Sequence, residues 1–267
     1  MQLLFVERPL MPAAQLVLTG AAYQHVICVL RLEIGAALEL VGSDQVGFAA
    51  TITAIDPANS SFSVQLAAVA LPNTELPVQA TIICGLPKGE KTKLIVQKAT
   101  ELGVARIIFC PMQRSIMRWR PEQVTKKVAH LQQIAASAAE QSHRRLIPQV
   151  EYWPTLAPLP SVGLNLVAYE EVVKNGQQDL ALAQAFQTLR QQLLALPHEA
   201  AVPPTDRPAV RMIFGPEGGL APVEVADLTA RGVQSVGLGP RILRTETAPL
   251  YFLSSLSYAI EVETLPR

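Results

Sequence analysis

The sequence predicts an α/β protein in which a small β-rich module precedes a domain built on a parallel sheet. From residue 78 onward, short apolar runs alternate with helical patterns, the order that builds parallel sheets. Before residue 73, short strand-like runs are separated by turn signals, as in a compact β-barrel. The turn-forming run Leu71–Pro77 predicts a linker. We therefore expect two domains, residues 1–72 and residues 78–267.

The N-terminal module is predicted to hold one helix among its strands. Apolar residues at helical spacing follow Thr19, whose hydroxyl is suited to cap a helix from Gly20 to about Arg31. Turn signals at residues 42–44 and 56–60 separate the later strands. The predicted strands are Leu3–Val6, Ala37–Val41, Val46–Ile55 and Ser61–Val69.

The second domain is predicted to alternate strands with helices up to an apolar last helix. That helix, from about Thr245 to Glu261, carries an apolar stripe that indicates either core packing or a subunit interface. The stripe consists of Leu250, Leu253, Leu256, Ser257 and Ile260. The other predicted helices are Glu90–Leu102, Pro121–Gln141 and Asp179–Leu196. The predicted strands are Val78–Cys84, Ala105–Cys110, Val162–Ala168, Ala209–Phe214 and Val233–Val236.

Two glycine-rich turns follow the last two predicted strands. The first is Gly215–Gly219, with the sequence Gly-Pro-Glu-Gly-Gly, and the second begins at Gly237. Parallel sheets build ligand sites where strands end in such turns, because glycine lets a ligand lie against bare backbone. Plain connecting turns are the alternative, but they do not explain three glycines in five residues. Since neither turn has dinucleotide-binding or P-loop spacing, we predict a different pocket, lined mainly by main-chain groups.

The chain has no net charge, but its charge is unevenly distributed. Between Lys88 and Arg145, twelve Lys and Arg residues stand against four Glu residues, a local excess of +8. Such an excess is typical of a surface that binds a polyanion, with ordinary solvated helix faces as the alternative. The N-terminus lacks the basic start of a signal peptide, and the three cysteines have no disulfide or zinc spacing. These features predict a cytoplasmic protein with no membrane partner.

Motifs along nearly the whole chain occur in an order typical of one family. They are Leu86–Lys91, Gln97–Val104, Arg114-Ser115, Ala138–Ser142, Arg145–Pro148, Gly215–Gly219 and Leu238–Ala248, with His25, Val29, Leu30 and Arg31 in the N-terminal module. Together they resemble the RsmE family of 16S ribosomal RNA uridine-N3 methyltransferases, within the SPOUT superfamily. The resemblance implies a PUA-like barrel followed by an α/β domain with a trefoil knot, a homodimer, and S-adenosyl-L-methionine as methyl donor. The implied substrate is 16S rRNA or the small ribosomal subunit.

The predicted site residues fall into three groups. Arg244 and Arg114 are predicted to stabilise the charge that develops on uracil when N3 loses its proton. Glu246 is predicted either to accept that proton or to orient Arg244, and a purely structural Arg244–Glu246 ion pair is the alternative. The predicted RNA-binding residues are Arg8, Arg31, Lys88, Arg114, Arg144 and Arg145. The predicted donor-binding residues are Tyr169, Glu170, Gly215, Pro216, Glu217, Gly218, Gly219, Leu238, Gly239, Ile242, Leu243, Arg244 and Thr245.

Two other functions are compatible with these features. One is a SPOUT enzyme that methylates a different RNA position, such as a ribose 2′-hydroxyl, and the other is a non-catalytic RNA-binding protein. No metal site and no hydrolase triad is predicted. In a homodimer, we expect Arg114 of one chain to act on the glycine-rich turns of its partner.

Overall fold

The chain divides into two units in this computed structural model, which describes residues 1–156, 159–160, 163–172, 180–196 and 206–263. The first unit comprises Met1–Glu75 and Ala139–Leu146, and the second comprises Leu76–Ala138 and Ile147–Arg267. The division after Glu75 falls inside the linker that we predicted. Residues 139–146, which we placed in the second domain, group instead with the first unit.

A five-stranded mixed sheet forms most of the first unit. Its strand order is β1-β3-β4-β5-β2, with β1 parallel to β3 and the other pairs antiparallel. Buried residues alternate along the long central strands, so one face covers the core of this unit. Because β1 and β2 are edge strands, the predicted barrel is found in open form, as a curled half-barrel. The strands are β1 (Gln2–Phe5), β2 (Gln15–Thr19), β3 (Ala37–Val41), β4 (Gly47–Asp56) and β5 (Ser61–Ala70).

The helix of the first unit differs from its prediction. It begins at Ala21 as α1 (Ala21–Tyr23) and continues as a π-helix over Gln24–Val29. Thr19 is not its cap, because Thr19 pairs with Ser61 as the last residue of β2. Gly20, with φ of 61°, takes the N-cap position instead. The prediction overlooked β2 and therefore placed the cap one residue too early.

A six-stranded parallel sheet organises the second unit, as predicted. The strand order is β11-β9-β10-β6-β7-β8, and every adjacent pair is parallel. After β10 the chain reaches β11, which lies on the far side of β9. The connection from β10 to β11 therefore crosses β9. The strands are β6 (Gln79–Gly85), β7 (Arg106–Cys110), β8 (Gln149–Tyr152), β9 (Leu164–Ala168), β10 (Ala209–Phe214) and β11 (Gln234–Val236).

The predicted helices of the second unit are found with small shifts at their ends. Strand β8 was not predicted, since only Val150 of its four residues is buried and its apolar pattern is weak. Two predicted end residues, Val162 and Asp179, lie outside the described part of the chain. The helices are α2 (Lys91–Glu101), α3 (Pro121–Gln141), α4 (Ala181–Leu194), α5 (Pro222–Ala230) and α6 (Thr247–Ser257), the last continued by a π-helix over Tyr258–Val262.

Helix α6 packs its apolar stripe into the core of the second unit. Leu253, Leu256 and Ile260 are all buried in the main core cluster. Of the two interpretations of this stripe, core packing is therefore confirmed. Among the described helices, none is both long and apolar enough to cross a membrane.

Candidate active site

A cavity of about 790 Å³ opens at the carboxyl ends of the parallel strands in the second unit. Loops that follow β9, β10 and β11 form most of its wall, as expected for a ligand site in a parallel sheet. All thirteen residues predicted to bind the donor line this cavity. Further lining residues are Lys91, Arg114, Ala168, Glu171, Phe214, Leu220, Pro222, Pro240, Arg241 and Ala248.

The first glycine-rich turn is held tightly against the sheet. A side chain at Gly85, the last residue of β6, would come within 2.4 Å of the Pro216 nitrogen. The turn closes through the Gly219 N–H, which donates to the Pro216 carbonyl at 2.8 Å. Gly219 has φ of 68°, and a Cβ built there meets open space. Glycine is therefore required at residue 85 for close packing against Pro216, and at residue 219 for its backbone conformation.

The loop after β11 offers the cavity a run of backbone groups that the protein itself leaves available. Within the described part of the chain, the backbone of residues 238–243 makes no hydrogen bond to another protein group. Gly239 has φ of 87°, a conformation that favours glycine. Exposed amides and carbonyls in a concave wall can fix the orientation of a polar ligand. This arrangement suits a polar ligand that offers both hydrogen-bond donors and acceptors.

Lys91 joins the two glycine-rich segments, and sequence reasoning did not assign it to the site. Its ammonium nitrogen lies 3.1 Å from Glu217 Oε1 in the first turn. The same nitrogen lies 3.0 Å from Glu246 Oε2, just beyond the second loop. The signal that could have found it was its position in the motif Leu86–Lys91, directly after β6. Lys91 was counted only as part of the basic excess.

The two carboxylates that bind Lys91 are stabilised in their ionised form. Burial raises the pKa of Glu217, but hydrogen bonds from the N–H groups of Lys88 and of Glu217 itself and from Lys91 outweigh it, so the pKa lies below 4.5. The pKa of Glu246 is also lowered, because its own backbone N–H, Lys91 and the charge of Arg244 outweigh burial. The pKa of Lys91 is raised, chiefly by Glu246. All three groups are therefore charged near neutral pH.

The three predicted catalytic residues lie at or beside the cavity. Arg114 donates from Nη1 to the carbonyl of Gly218 at 3.1 Å, so it reaches the cavity of its own chain. This contact lies within one chain, and the action of Arg114 on a partner chain stays a prediction. Arg244 lines the cavity and is exposed. Among the described residues, Arg244 forms no ion pair with Glu246, whose partner is Lys91.

The structure contradicts an RNA-binding role for Arg144 and Arg145, which are 2% and 4% exposed. Arg144 Nε donates to Glu75 Oε1 at 3.1 Å, and the same oxygen accepts the N–H of Arg145 at 2.7 Å. Arg145 Nη1 lies 3.4 Å from Glu39 Oε2. Both guanidinium groups are thus tied to carboxylates inside the first unit. Charge counting could not distinguish these buried pairs from a basic surface.

The remaining predicted RNA-binding residues are exposed. Arg8 and Arg31 belong to the first unit, and Arg31 has a positive φ of 55°. Lys88 lies in the second unit, where its backbone N–H donates to Glu217 at 3.0 Å. The described residues contain no group of three His, Cys, Asp or Glu side chains placed to hold a metal ion.

Comparison with known proteins matches the chain to a family of RNA methyltransferases. A family model described as an RNA methyltransferase domain matches residues 74–257. The ribosomal RNA small subunit methyltransferase E of Bacillus subtilis is 35% identical over 249 residues, which cover 92% of this chain and 90% of that protein.

Solved structures agree with this result. A methyltransferase structure from Legionella pneumophila, determined in complex with the bound cofactor SAM, has a TM-score of 0.73 and 29% identity, covering 96% of this chain and 97% of that chain. The ribosomal RNA small subunit methyltransferase E of Neisseria gonorrhoeae, bound to S-adenosyl methionine, has a TM-score of 0.73 and 24% identity, with the same coverage. At 24% identity, the structure from Neisseria gonorrhoeae supports the fold alone.

Proposed function

Because the chain belongs to the ribosomal RNA small subunit methyltransferase E family, we propose that it transfers a methyl group from S-adenosylmethionine to the RNA of the small ribosomal subunit. The observation that carries the proposal is the cavity at the carboxyl ends of β9, β10 and β11, with its available backbone groups. Every residue that was predicted from the sequence to bind the methyl donor lines this cavity. Exposed basic residues such as Lys88 also suit a polyanionic substrate.

The residues of the cavity fit this donor. Backbone groups of residues 238–243 are suited to the adenine edge and the amino-acid end, and the turn Gly215–Gly219 gives close access to backbone. Tyr169 and Glu170 form the third wall, at the end of β9. When bound, S-adenosylmethionine supplies an electrophilic methyl group on a sulfonium. The protein's contribution is to bind it, orient it and exclude water.

The target that we propose is N3 of a uridine in 16S rRNA. N3 lies on the base-pairing edge, so the nucleotide must be unpaired or flipped out of its helix. Loss of the N3 proton leaves negative charge on the ring, which a nearby cation stabilises. Arg114 and Arg244 both line the cavity and can supply that charge.

We assign Glu246 a positioning role. Lys91 lies 3.0 Å from Glu246 Oε2 and competes for its lone pairs, and the pKa of Glu246 lies below its ordinary value, so Glu246 is a weak base. Glu246 therefore fixes Lys91, and through Lys91 the Gly215–Gly219 turn, rather than accepting the N3 proton. Replacing Glu246 with Gln should weaken donor binding. The pH dependence of the methyl-transfer rate should stay close to that of the wild type.

The test is methyl transfer from radiolabelled donor to small-subunit rRNA, both free and within assembled subunits. Digestion of the product to nucleosides then locates the label. N3-methyluridine supports the proposal, whereas label on a ribose 2′-oxygen identifies a different RNA methyltransferase. RNA binding with no transfer to either substrate would identify a non-catalytic binding protein.

We also propose that the active form is a cytoplasmic homodimer. Tyr258 and Val262, in the π-helix after α6, are 59% and 61% exposed and offer an apolar contact surface. Light scattering of the purified protein measures the association state directly. A wild-type monomer at micromolar concentration would contradict this proposal.

A further inference from the structure

A second cavity lies in the same unit as the donor cavity. Its volume is about 240 Å³, less than a third of the roughly 790 Å³ of the donor cavity. Buried Trp119 and Leu131 contribute an apolar floor, and Met117 lines it beside them. The rest of its lining consists of Pro87, Gly89, Glu90, Thr92, Lys93, Lys127 and His130.

The two cavities share two stretches of chain. In the segment after β6, Lys91 lines the donor cavity, while Glu90 and Thr92 on either side of it line the second cavity. In the segment after β7, Arg114 lines the donor cavity and Met117 lines the second. The second cavity is therefore the immediate neighbour of the donor cavity, across these two segments.

The rim of the second cavity is cationic. Lys127 extends over the ring of Trp119, with its ammonium 5.5 Å from the ring centroid. Among the described residues, Lys127 forms no ion pair with a carboxylate, so its charge is available to a ligand. Lys93 also lines the rim but is paired with Glu90, the one carboxylate among the described lining residues. His130 lies one helical turn beyond Lys127, near the same opening.

We propose that this second cavity binds a nucleotide adjacent to the target nucleotide in the RNA strand. The proposal rests on the proposed function, because it takes the target base to be at the mouth of the donor cavity. A strand that continues from that mouth to the second cavity meets Lys127, whose ammonium is suited to its phosphate. The apolar floor then contacts the sugar or the base. The chemistry is phosphate recognition by lysine beside an apolar surface, as in proteins that bind single strands.

The experiment compares Lys127→Ala with Lys126→Ala. Both lysines are exposed on α3, and only Lys127 lines the second cavity, so the two variants lose the same charge in different places. Binding of small-subunit rRNA is measured across a salt series for each variant and for the wild type. Lys127→Ala should weaken RNA binding about tenfold, as for a lost charged hydrogen bond. Its salt-dependence slope should fall by about 0.7, one single-strand phosphate contact.

A calorimetric titration with S-adenosylmethionine serves as the second measurement. Lys127 does not line the donor cavity, so donor affinity should be unchanged. Equal RNA affinity and equal salt slopes for the two variants would overturn the proposal. A wild type that binds RNA without methylating it would refute the proposed function instead. In that case the comparison of Lys127→Ala with Lys126→Ala still decides whether the second cavity binds RNA.

Discussion

The ammonium nitrogen of Lys91 lies 3.0 Å from a carboxylate oxygen of Glu246 and 3.1 Å from one of Glu217. Lys91 begins α2, Glu217 lies in the first glycine-rich turn, and Glu246 immediately precedes α6. One side chain therefore holds together three segments that surround the donor cavity. The side chains of Lys91, Glu217 and Glu246 are only 17–29% exposed, so the two ion pairs are partly shielded from solvent.

Replacing Lys91 with Met should weaken donor binding about tenfold. Two carboxylates then face each other without a cation, and a charged hydrogen bond of about 1.5–3 kcal/mol is lost from the wall of the cavity. Calorimetric titration with S-adenosylmethionine measures the effect. Lys98→Met is the matched control, since Lys98 belongs to the same helix and pairs with Glu101 away from the cavity. Equal donor affinities in the two variants would contradict this role.

The carboxylate pair should make the protein sensitive to acid. Glu217 and Glu246 have pKa values lowered from 4.5, so the stability that they contribute is fully present above pH 4.5 and is lost as the pH falls through their folded-state values. Lys91, with a raised pKa, stays protonated throughout this range. The double variant Glu217→Gln with Glu246→Gln should show a smaller loss of unfolding free energy between pH 5 and pH 3, by urea titration. A loss of unfolding free energy as steep as that of the wild type would contradict the role of these two carboxylates in acid sensitivity.

Arg114→Ala should lower the methyl-transfer rate by about 10²–10³, the range for removing one group that stabilises developing charge. Donor affinity should change far less, because the hydrogen bond from Arg114 to Gly218 is at the exposed side of the turn. Single-turnover rates at saturating donor and RNA separate the two effects. Arg118→Ala is the control, an exposed arginine of the same segment that does not line the donor cavity. Similar rates for both variants would remove Arg114 from the catalytic group.

Gly85→Ala should both destabilise the protein and impair the site. The new methyl group would lie 2.4 Å from the Pro216 nitrogen, so the first glycine-rich turn must move. Overpacking of this kind costs about 1–3 kcal/mol. Denaturant unfolding measures the stability, and calorimetry measures donor binding in the folded variant. Unchanged donor affinity would show that the turn relaxes without changing the cavity.

Arg144→Ala should destabilise the first unit by about 3–5 kcal/mol, the usual effect of removing one partner from a buried ion pair. Glu75 would keep its buried charge, since it is only 8% exposed. The urea midpoint measures the loss. At urea concentrations below this midpoint, where the variant is folded, the salt dependence of RNA binding should match that of the wild type. The reason is that buried Arg144 contacts no phosphate. A flatter salt dependence with normal stability would restore the surface interpretation.

The sequence by itself determined five of the six parallel strands, their boundaries to within a few residues, and the glycine-rich wall of the donor cavity. These features are local: apolar runs of strand length and glycines directly after them can be recognised in one stretch of chain. Prediction of residues 209–214 as a strand, for example, needed no knowledge of its neighbours.

Only the tertiary structure decided which charges meet. Lys91, Arg144 and Arg145 all belonged to the same basic segment, yet Lys91 joins two walls of the donor cavity and the two arginines are buried against Glu75 and Glu39. The partners of each charge lie far along the chain, and burial depends on how the elements pack. Charge pairing is thus a property of the fold, and a count of charges along the sequence does not contain it.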